Sequence, residues 1–209
     1  NYQKVDEQYN YLPDLPAEKE FGYTSEIISG KTFLKDRLGI ACYVWAYIYK
    51  TSLVKSVLFV EGCRIDDSPW LPRVLQKAER VNCINVRHQY YLQRKGSLVH
   101  IVKDRDNILK KQQGYMQIMD IMLEQMKQSN PECRVWYKRF ISYTAFSALS
   151  DIVYLSKKDA WHFISIVKKR KILPLQNKTY KFSALIRKFI ININPKLYWY
   201  LLNNKRCNN

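Results

Sequence analysis

The second half of the chain carries apolar residues at helical spacing. Long stretches with this period cover residues 106–128, 135–155 and 157–173, and each predicts a helix. A fourth helix is predicted from the residues that share its apolar side, which are Phe182, Leu185, Ile186, Phe189, Ile190 and Ile193. Asn194 followed by Pro195 predicts that a short helix begins there, because proline suits the first helical position.

The first half has shorter and more mixed patterns. Residues 1–20 are polar and predict a loop or an extended entry segment. Ser29 predicts the start of a helix that ends near Gly39, and residues 40–48 predict a further helix. Residues 56–62 predict a short strand, since they are apolar and end at a glycine.

The order of these elements indicates the fold class. Residues 81–97 alternate between apolar and polar positions, which predicts another strand leading to a turn at Gly96. The chain is therefore predicted to be α/β, with a few strands followed by a mostly helical C-terminal region. We expect two parts, residues 1–104 and residues 105–209.

An acidic pair precedes one well-defined helix. Ser68 and Pro69 predict its start, and an apolar face follows at Trp70, Leu71, Val74, Leu75 and Ala78. Asp66 and Asp67 stand immediately before it. Acids are enriched at helix starts because the helix dipole favours negative charge there. The pattern alone leaves open whether this pair caps the helix or places a carboxylate for chemistry.

Composition argues against several kinds of site. The five cysteines are scattered without a CxxC pair, which argues against a disulfide framework or a zinc site and favours a reducing, cytoplasmic setting. His88, His100 and His162 have no metal-ligand spacing. Residues 29–32 read "SGKT", but Ser25 stands where a phosphate loop requires glycine.

The positive charge is concentrated in the second half. The chain has a formal net charge of +17, of which residues 101–209 carry +14, from 21 Lys and Arg against 7 Asp and Glu. From Lys157 onward the only acid is Asp159. This asymmetry predicts an anionic partner, which the sequence leaves open among nucleic acid, membrane head groups and a phosphorylated substrate.

A set of short motifs lies in a fixed order across about fifty residues. They are Trp45, Ile48–Lys50, the "FVEG" of residues 59–62, Asp66–Asp67, the helix from Pro69, Tyr90–Tyr91 and Gly96–Ser97. Their order and spacing resemble the second half of the family 2 glycosyltransferases with a GT-A fold. Residues 193–202 are similar to the tail of that family. Tyr47, Asp66 and Leu92 depart from it, standing where lysine, glutamate and arginine are usual.

The resemblance implies the acceptor-side lobe of an inverting enzyme. Such an enzyme transfers a sugar from a nucleotide-sugar donor to a saccharide or lipid-linked saccharide acceptor. The family's first strand, nucleotide-binding aspartates and metal-binding "DxD" are not in this sequence. We therefore expect that residues precede Asn1 and that a divalent metal, Mg or Mn, binds through the missing half. The isolated chain is expected to be inactive.

The resemblance also implies roles for individual residues. Asp67 occupies the position of the general base, ionised at the helix start, and Asp66 supports it. Trp45 and Trp70 would offer flat faces to a sugar ring. A place in the core is the alternative for both, and it is the favoured one for Trp45. His88, Tyr90 and Tyr91 would contact the acceptor or a donor phosphate. One of the two tyrosines is expected to pack inward, because side chains alternate on a strand.

The basic C-terminal helices allow two further interpretations. They are predicted to rest peripherally on an anionic membrane, at the inner face, or else to pack their apolar stripes on the protein's own core. The alternative function is a basic nucleic-acid-binding or membrane-surface module without catalysis. Against nucleic acid, the sequence has no RNP-like motif, zinc finger or glycine-arginine tract.

Overall fold

The protein is described here by a computed structural model. It describes residues 2–13, 26–63, 65–84, 89–94, 104–177 and 181–206, with the backbone alone at 204–206. The strands are β1, Tyr2–Val5, and β2, Gln89–Leu92. The α-helices are α1, Gly30–Thr32; α2, Thr51–Val54; α3, Asp67–Lys77; α4, Arg105–Gln128; α5, Arg134–Asp151; α6, Lys157–Lys169; α7, Phe182–Ile193; and α8, Pro195–Arg206.

The chain divides into two compact units. The first contains Asn1–Ile101 and Gln125–Trp136, and the second contains Val102–Glu124 and Tyr137–Asn209. The first boundary falls close to the expected division after residue 104. The segment 125–136 belongs with the first unit, although the sequence suggested no such return of the chain.

The first unit holds both described strands. β1 and β2 pair in parallel, with Tyr2 opposite Gln89 and Val5 opposite Leu92. Helices dominate the described residues, and α1–α3 lie between the two strands, so the predicted order of strands followed by a helical region is matched only from α4 onward. The strand predicted at residues 56–62 is wrong, because those residues form turns and irregular backbone. The turn predicted at Gly96 lies outside the described residues.

Helix α3 is the core of the first unit. Leu71, Val74 and Leu75 are at most 3% exposed, and burial of each such side chain contributes about 1.5–3 kcal/mol. Gly30 begins α1 against the end of this helix. Its N–H donates to the carbonyl oxygen of Ala78 at 2.8 Å, and a Cβ there would lie 2.0 Å from the carbonyl oxygen of Leu75.

Ser29 caps α1 as predicted, since its side chain accepts from the N–H of Thr32 at 3.1 Å. The helical path continues as a π-helical turn over Phe33–Arg37, close to the predicted end. The helix predicted at residues 40–48 is wrong. That segment is irregular apart from a 3₁₀ turn at Val44–Ala46.

The second unit is helical, as predicted. Ile118, Met119 and Met122 of α4 are nearly fully buried, which confirms that the methionines fill the core. Gln112 is buried among them and donates to the carbonyl oxygen of Ala148 in α5 at 2.7 Å. At the start of α8 the side chain of Asn194 accepts from the N–H of Lys196 at 3.0 Å, so the predicted restart is confirmed.

Candidate acceptor site

The acidic pair forms the start of α3. Asp66 is the N-cap, and its Oδ1 accepts from the N–H of Asp67 at 3.1 Å. Ser68 was predicted as the cap, but it lies inside the helix and is buried. Pro69 is tolerated in the first turn because the N–H groups there have no helical partner in any case.

Asp67 faces a neighbouring backbone segment. Its Oδ2 accepts from the N–H of Val44 at 3.2 Å. Burial raises the pKa of the Asp67 carboxyl above its ordinary value of 3.8; the Val44 hydrogen bond opposes this shift and the charge of Asp66 adds to it. The helix start therefore presents a half-buried carboxylate with a raised pKa. The sequence had indicated only the helix dipole, which favours the charged form.

Val44 is held from two sides. Its N–H donates to Asp67, and its carbonyl oxygen accepts from the hydroxyl of Tyr49 at 2.9 Å. Burial raises the pKa of Tyr49, and the nearby Asp67 charge raises it further. Burial likewise raises the pKa of the Cys42 thiol, again with a contribution from Asp67. Both groups therefore stay protonated beside the carboxylate at neutral pH.

Four aromatic rings cluster next to this peptide. Trp45 lies 4.8 Å from Tyr2, 5.0 Å from Tyr43 and 5.0 Å from Tyr91, measured between ring centroids. All four side chains are partly exposed. Tyr43 and Trp45 flank Val44 in the chain. The structure thus brings the predicted site residues Asp67, Trp45 and Tyr91 into one neighbourhood.

The other predicted residues lie elsewhere. Tyr90 is 63% exposed and stacks on Tyr11 at 6.3 Å, so Tyr91 is the inward member of the pair. Trp70 is 5% exposed. Its indole N–H donates to the carbonyl oxygen of Val57 at 2.7 Å, and its ring stacks on Phe59. This placement favours the core role over a sugar-stacking face for Trp70. His88 lies outside the described residues.

A cavity of about 320 Å³ adjoins the aromatic cluster. Tyr2 and Tyr43 line it together with Tyr47 and Tyr49, and Arg37, Lys50 and Arg80 also reach it. Asp67 is not among its lining residues. Trp45 and Tyr91 do not line it either, so the three predicted site residues that lie together are not part of the cavity wall.

Sequence reasoning missed Tyr2, Tyr43 and Tyr49. The signal for two of them was present in "YVWAYIY", residues 43–49, where aromatic side chains occupy every second position. That alternation is typical of extended backbone, which presents alternate side chains on one side. We interpreted the segment as helical and so did not group its rings.

Comparison with protein-family models, with curated proteins and with solved structures finds no match to this chain. The function must be argued from the residues themselves.

Among the described residues, no three His, Cys, Asp or Glu side chains lie close enough together to hold a metal ion. The resemblance assigns the divalent metal to the missing half, so that expectation does not concern these residues. What the site combines is a carboxylate able to take a proton and aromatic faces able to pack on a sugar ring.

Proposed function

We propose that this chain forms the acceptor-binding, GT-A-like lobe of an inverting glycosyltransferase, with Asp67 as the general base. The observation that supports it is that Asp67 accepts a hydrogen bond from Val44, the residue before Trp45, whose ring packs against Tyr91. Three residues that the motif order singled out, Trp45, Asp67 and Tyr91, are connected through these two contacts although they lie far apart in sequence.

In the proposed reaction, Asp67 accepts the proton of an acceptor hydroxyl as that oxygen attacks the anomeric carbon of the donor. The bond from that carbon to the leaving nucleotide breaks, and the configuration inverts. A base works best when its pKa lies near the working pH. Partial burial moves the pKa of Asp67 in that direction while the bond from Val44 orients the carboxylate.

The aromatic cluster would bind the acceptor sugar. The C–H groups of a saccharide pack on flat rings, and tyrosine hydroxyls supply hydrogen bonds at the margin. Trp45 is central, since its ring lies within 5.0 Å of the Tyr2, Tyr43 and Tyr91 centroids. Asp66 supports the base by accepting from its backbone N–H and by raising its pKa.

The donor nucleotide and the divalent metal belong, in this proposal, to a part of the enzyme other than the described residues. The experiment therefore uses the enzyme that contains this chain together with its donor-binding region. Asp67→Asn should lower kcat by about 10²–10⁴-fold, the usual contribution of a positioned base, while nucleotide binding is unchanged. Trp45→Ala should instead raise the acceptor KM.

Asp36→Asn is the matched control, because Asp36 is an exposed carboxylate in the same unit. It should leave turnover unchanged. Wild-type turnover in the Asp67→Asn enzyme would overturn the assignment of the base.

A further inference from the structure

Helix α7 turns its apolar side away from the protein. Phe182 is 77% exposed and Phe189 is 66% exposed. The stripe consists of Phe182, Leu185, Ile186, Phe189 and Ile193, all at least 44% exposed. The opposite side, with Ala184 and Ile191, is buried. Within the described part of α7, no charged residue interrupts the stripe.

Polar side chains hold the helix in this orientation. Lys188 donates from Nζ to the carbonyl oxygen of Asn177 at 2.6 Å. The Asn192 side chain accepts from the N–H of Leu175 at 2.7 Å and donates to the carbonyl oxygen of Leu175 at 3.3 Å. Turning the stripe inward would break these bonds, so its exposure is part of the folded state.

Helix α8, which follows α7 directly in the chain, also exposes apolar side chains. Leu197, Tyr200 and Leu201 are 40–46% exposed, and they follow Ile193 across the Asn194–Pro195 junction. We call these residues and the α7 stripe the C-terminal face. Each of the two helices has 12 residues, about 18 Å at the helical rise.

Aromatic and cationic side chains adjoin this face. Tyr200 packs against Trp161 and Trp199, with ring centroids 5.5 and 5.3 Å away. Lys157 Nζ lies 5.5 Å from the Tyr200 centroid, and Lys196 Nζ lies 5.3 Å from the Trp161 centroid. Rings with a polar edge beside lysines are the composition of protein surfaces at a lipid–water interface.

We propose that the C-terminal face docks on an anionic lipid bilayer, with α7 and α8 lying along its surface. The stripe would enter the acyl boundary while Lys157 and Lys196 meet lipid phosphates. Residues 181–206 contain six Lys and Arg and no acid. A second copy would therefore bring like charges together. Nucleic-acid phosphates could contact the same cations, but nucleic acid has no apolar phase to receive the exposed stripe.

The test is co-sedimentation of the 209-residue chain with phosphatidylcholine vesicles, with and without a fraction of phosphatidylglycerol. Binding is expected only with the anionic lipid. Phe189→Ser with Ile193→Ser should weaken it at least about 100-fold, since two large apolar side chains leave the acyl boundary. Lys157→Gln with Lys196→Gln should weaken it about 25-fold, or about five-fold per lysine.

Matched controls carry the same changes elsewhere. Leu58→Ser with Val135→Ser alters two other exposed apolar side chains, and Lys55→Gln with Lys110→Gln removes two other exposed lysines. Both controls should bind nearly as the wild type does, and circular dichroism should show all variants folded.

Three outcomes would overturn the proposal. One is no binding to anionic vesicles. Another is equal loss of binding in the face and control variants. The last is that the wild-type chain leaves vesicles unbound but self-associates or binds oligonucleotides, and that Phe189→Ser with Ile193→Ser abolishes this association. The catalytic proposal is independent of these results, because it depends on Asp67 turnover.

Discussion

Replacing the Asp67 carboxylate by an amide separates its charge from its hydrogen bond. Asn at this position keeps an oxygen that can accept from the N–H of Val44, a bond of 3.2 Å in the wild type. It removes the negative charge that burial and Asp66 disfavour. We therefore expect Asp67→Asn to be at least as stable as the wild type at neutral pH, even though the proposed base is lost.

The pH dependence follows from the direction of the pKa shift. The folded-state pKa of Asp67 is raised above its ordinary value of 3.8. At any pH between 3.8 and the folded-state pKa, the folded chain therefore binds more protons than the unfolded chain. Wild-type stability contributed by this group therefore falls as pH rises through that window. The advantage of Asp67→Asn should be absent below the window, grow across it and stay constant above.

Asp67→Ala gives the magnitude of the hydrogen bond. It leaves the Val44 N–H without its side-chain partner. Relative to Asp67→Asn, this should lower the free energy of unfolding by about 1 kcal/mol, since the bond is only partly buried. At neutral pH, Asp67→Asn is therefore expected to be more stable than both the wild type and Asp67→Ala. This order differs from that of an N-cap carboxylate, whose charge helps the helix dipole.

The assay is urea denaturation followed by tryptophan fluorescence across this pH range, with Asp36→Asn as an exposed control. If Asp67→Asn were as unstable as Asp67→Ala at neutral pH, the negative charge itself would hold the fold. Asp67 would then be a structural residue of the helix start, and the physical basis for its raised pKa would fail.

Two further predictions concern the packing around α3, and urea denaturation checks both. Gly30→Ala should cost about 1–3 kcal/mol or more, because its Cβ would meet the Leu75 carbonyl oxygen at 2.0 Å; an unchanged urea midpoint would contradict this steric reason. Trp70→Phe should cost about 1–3 kcal/mol by leaving the buried Val57 carbonyl unpaired, whereas an unchanged midpoint would mean that the indole bond contributes nothing.

The helices of the second half could be predicted because their signal is local and long. Apolar residues keep the helical period over several turns in α4 and α5, and no competing pattern of that length exists. Caps are equally local. Ser29 and Asn194 bond to backbone N–H groups three and two residues ahead, so these two caps could be predicted, whereas the start of α3 lies at Asp66 and not at Ser68.

The strand at residues 56–62 failed for a reason outside the segment. The carbonyl oxygens of Val57 and Leu58 accept from the side chains of Trp70 and Arg73 in α3, so they do not take part in a strand ladder. The pairing of β1 with β2 was equally hidden. It joins residues more than eighty positions apart, and a single sequence carries no signal for such a register.

The candidate site divides in the same way. The position of Asp67 at a helix start could be predicted from Pro69 and the apolar face that follows. Its hydrogen bond to Val44 and the convergence of Trp45 with Tyr91 could not, because each joins separate segments of the chain. The pKa of Asp67 is raised chiefly by burial in the folded chain, which the sequence does not show, and the sequence therefore pointed only to the helix dipole.

Helix α7 shows what periodicity leaves undecided. An apolar stripe at helical spacing has the same pattern whether it faces a core or an external apolar phase. Its surroundings decide between the two, and here Lys188 and Asn192 hydrogen-bond to the protein on the other flank. Rotating the stripe inward would leave these groups unpaired, at about 1–3 kcal/mol for each one buried. The outward stripe is thus maintained by polar contacts, and a lipid surface would supply the apolar partner that the described fold does not.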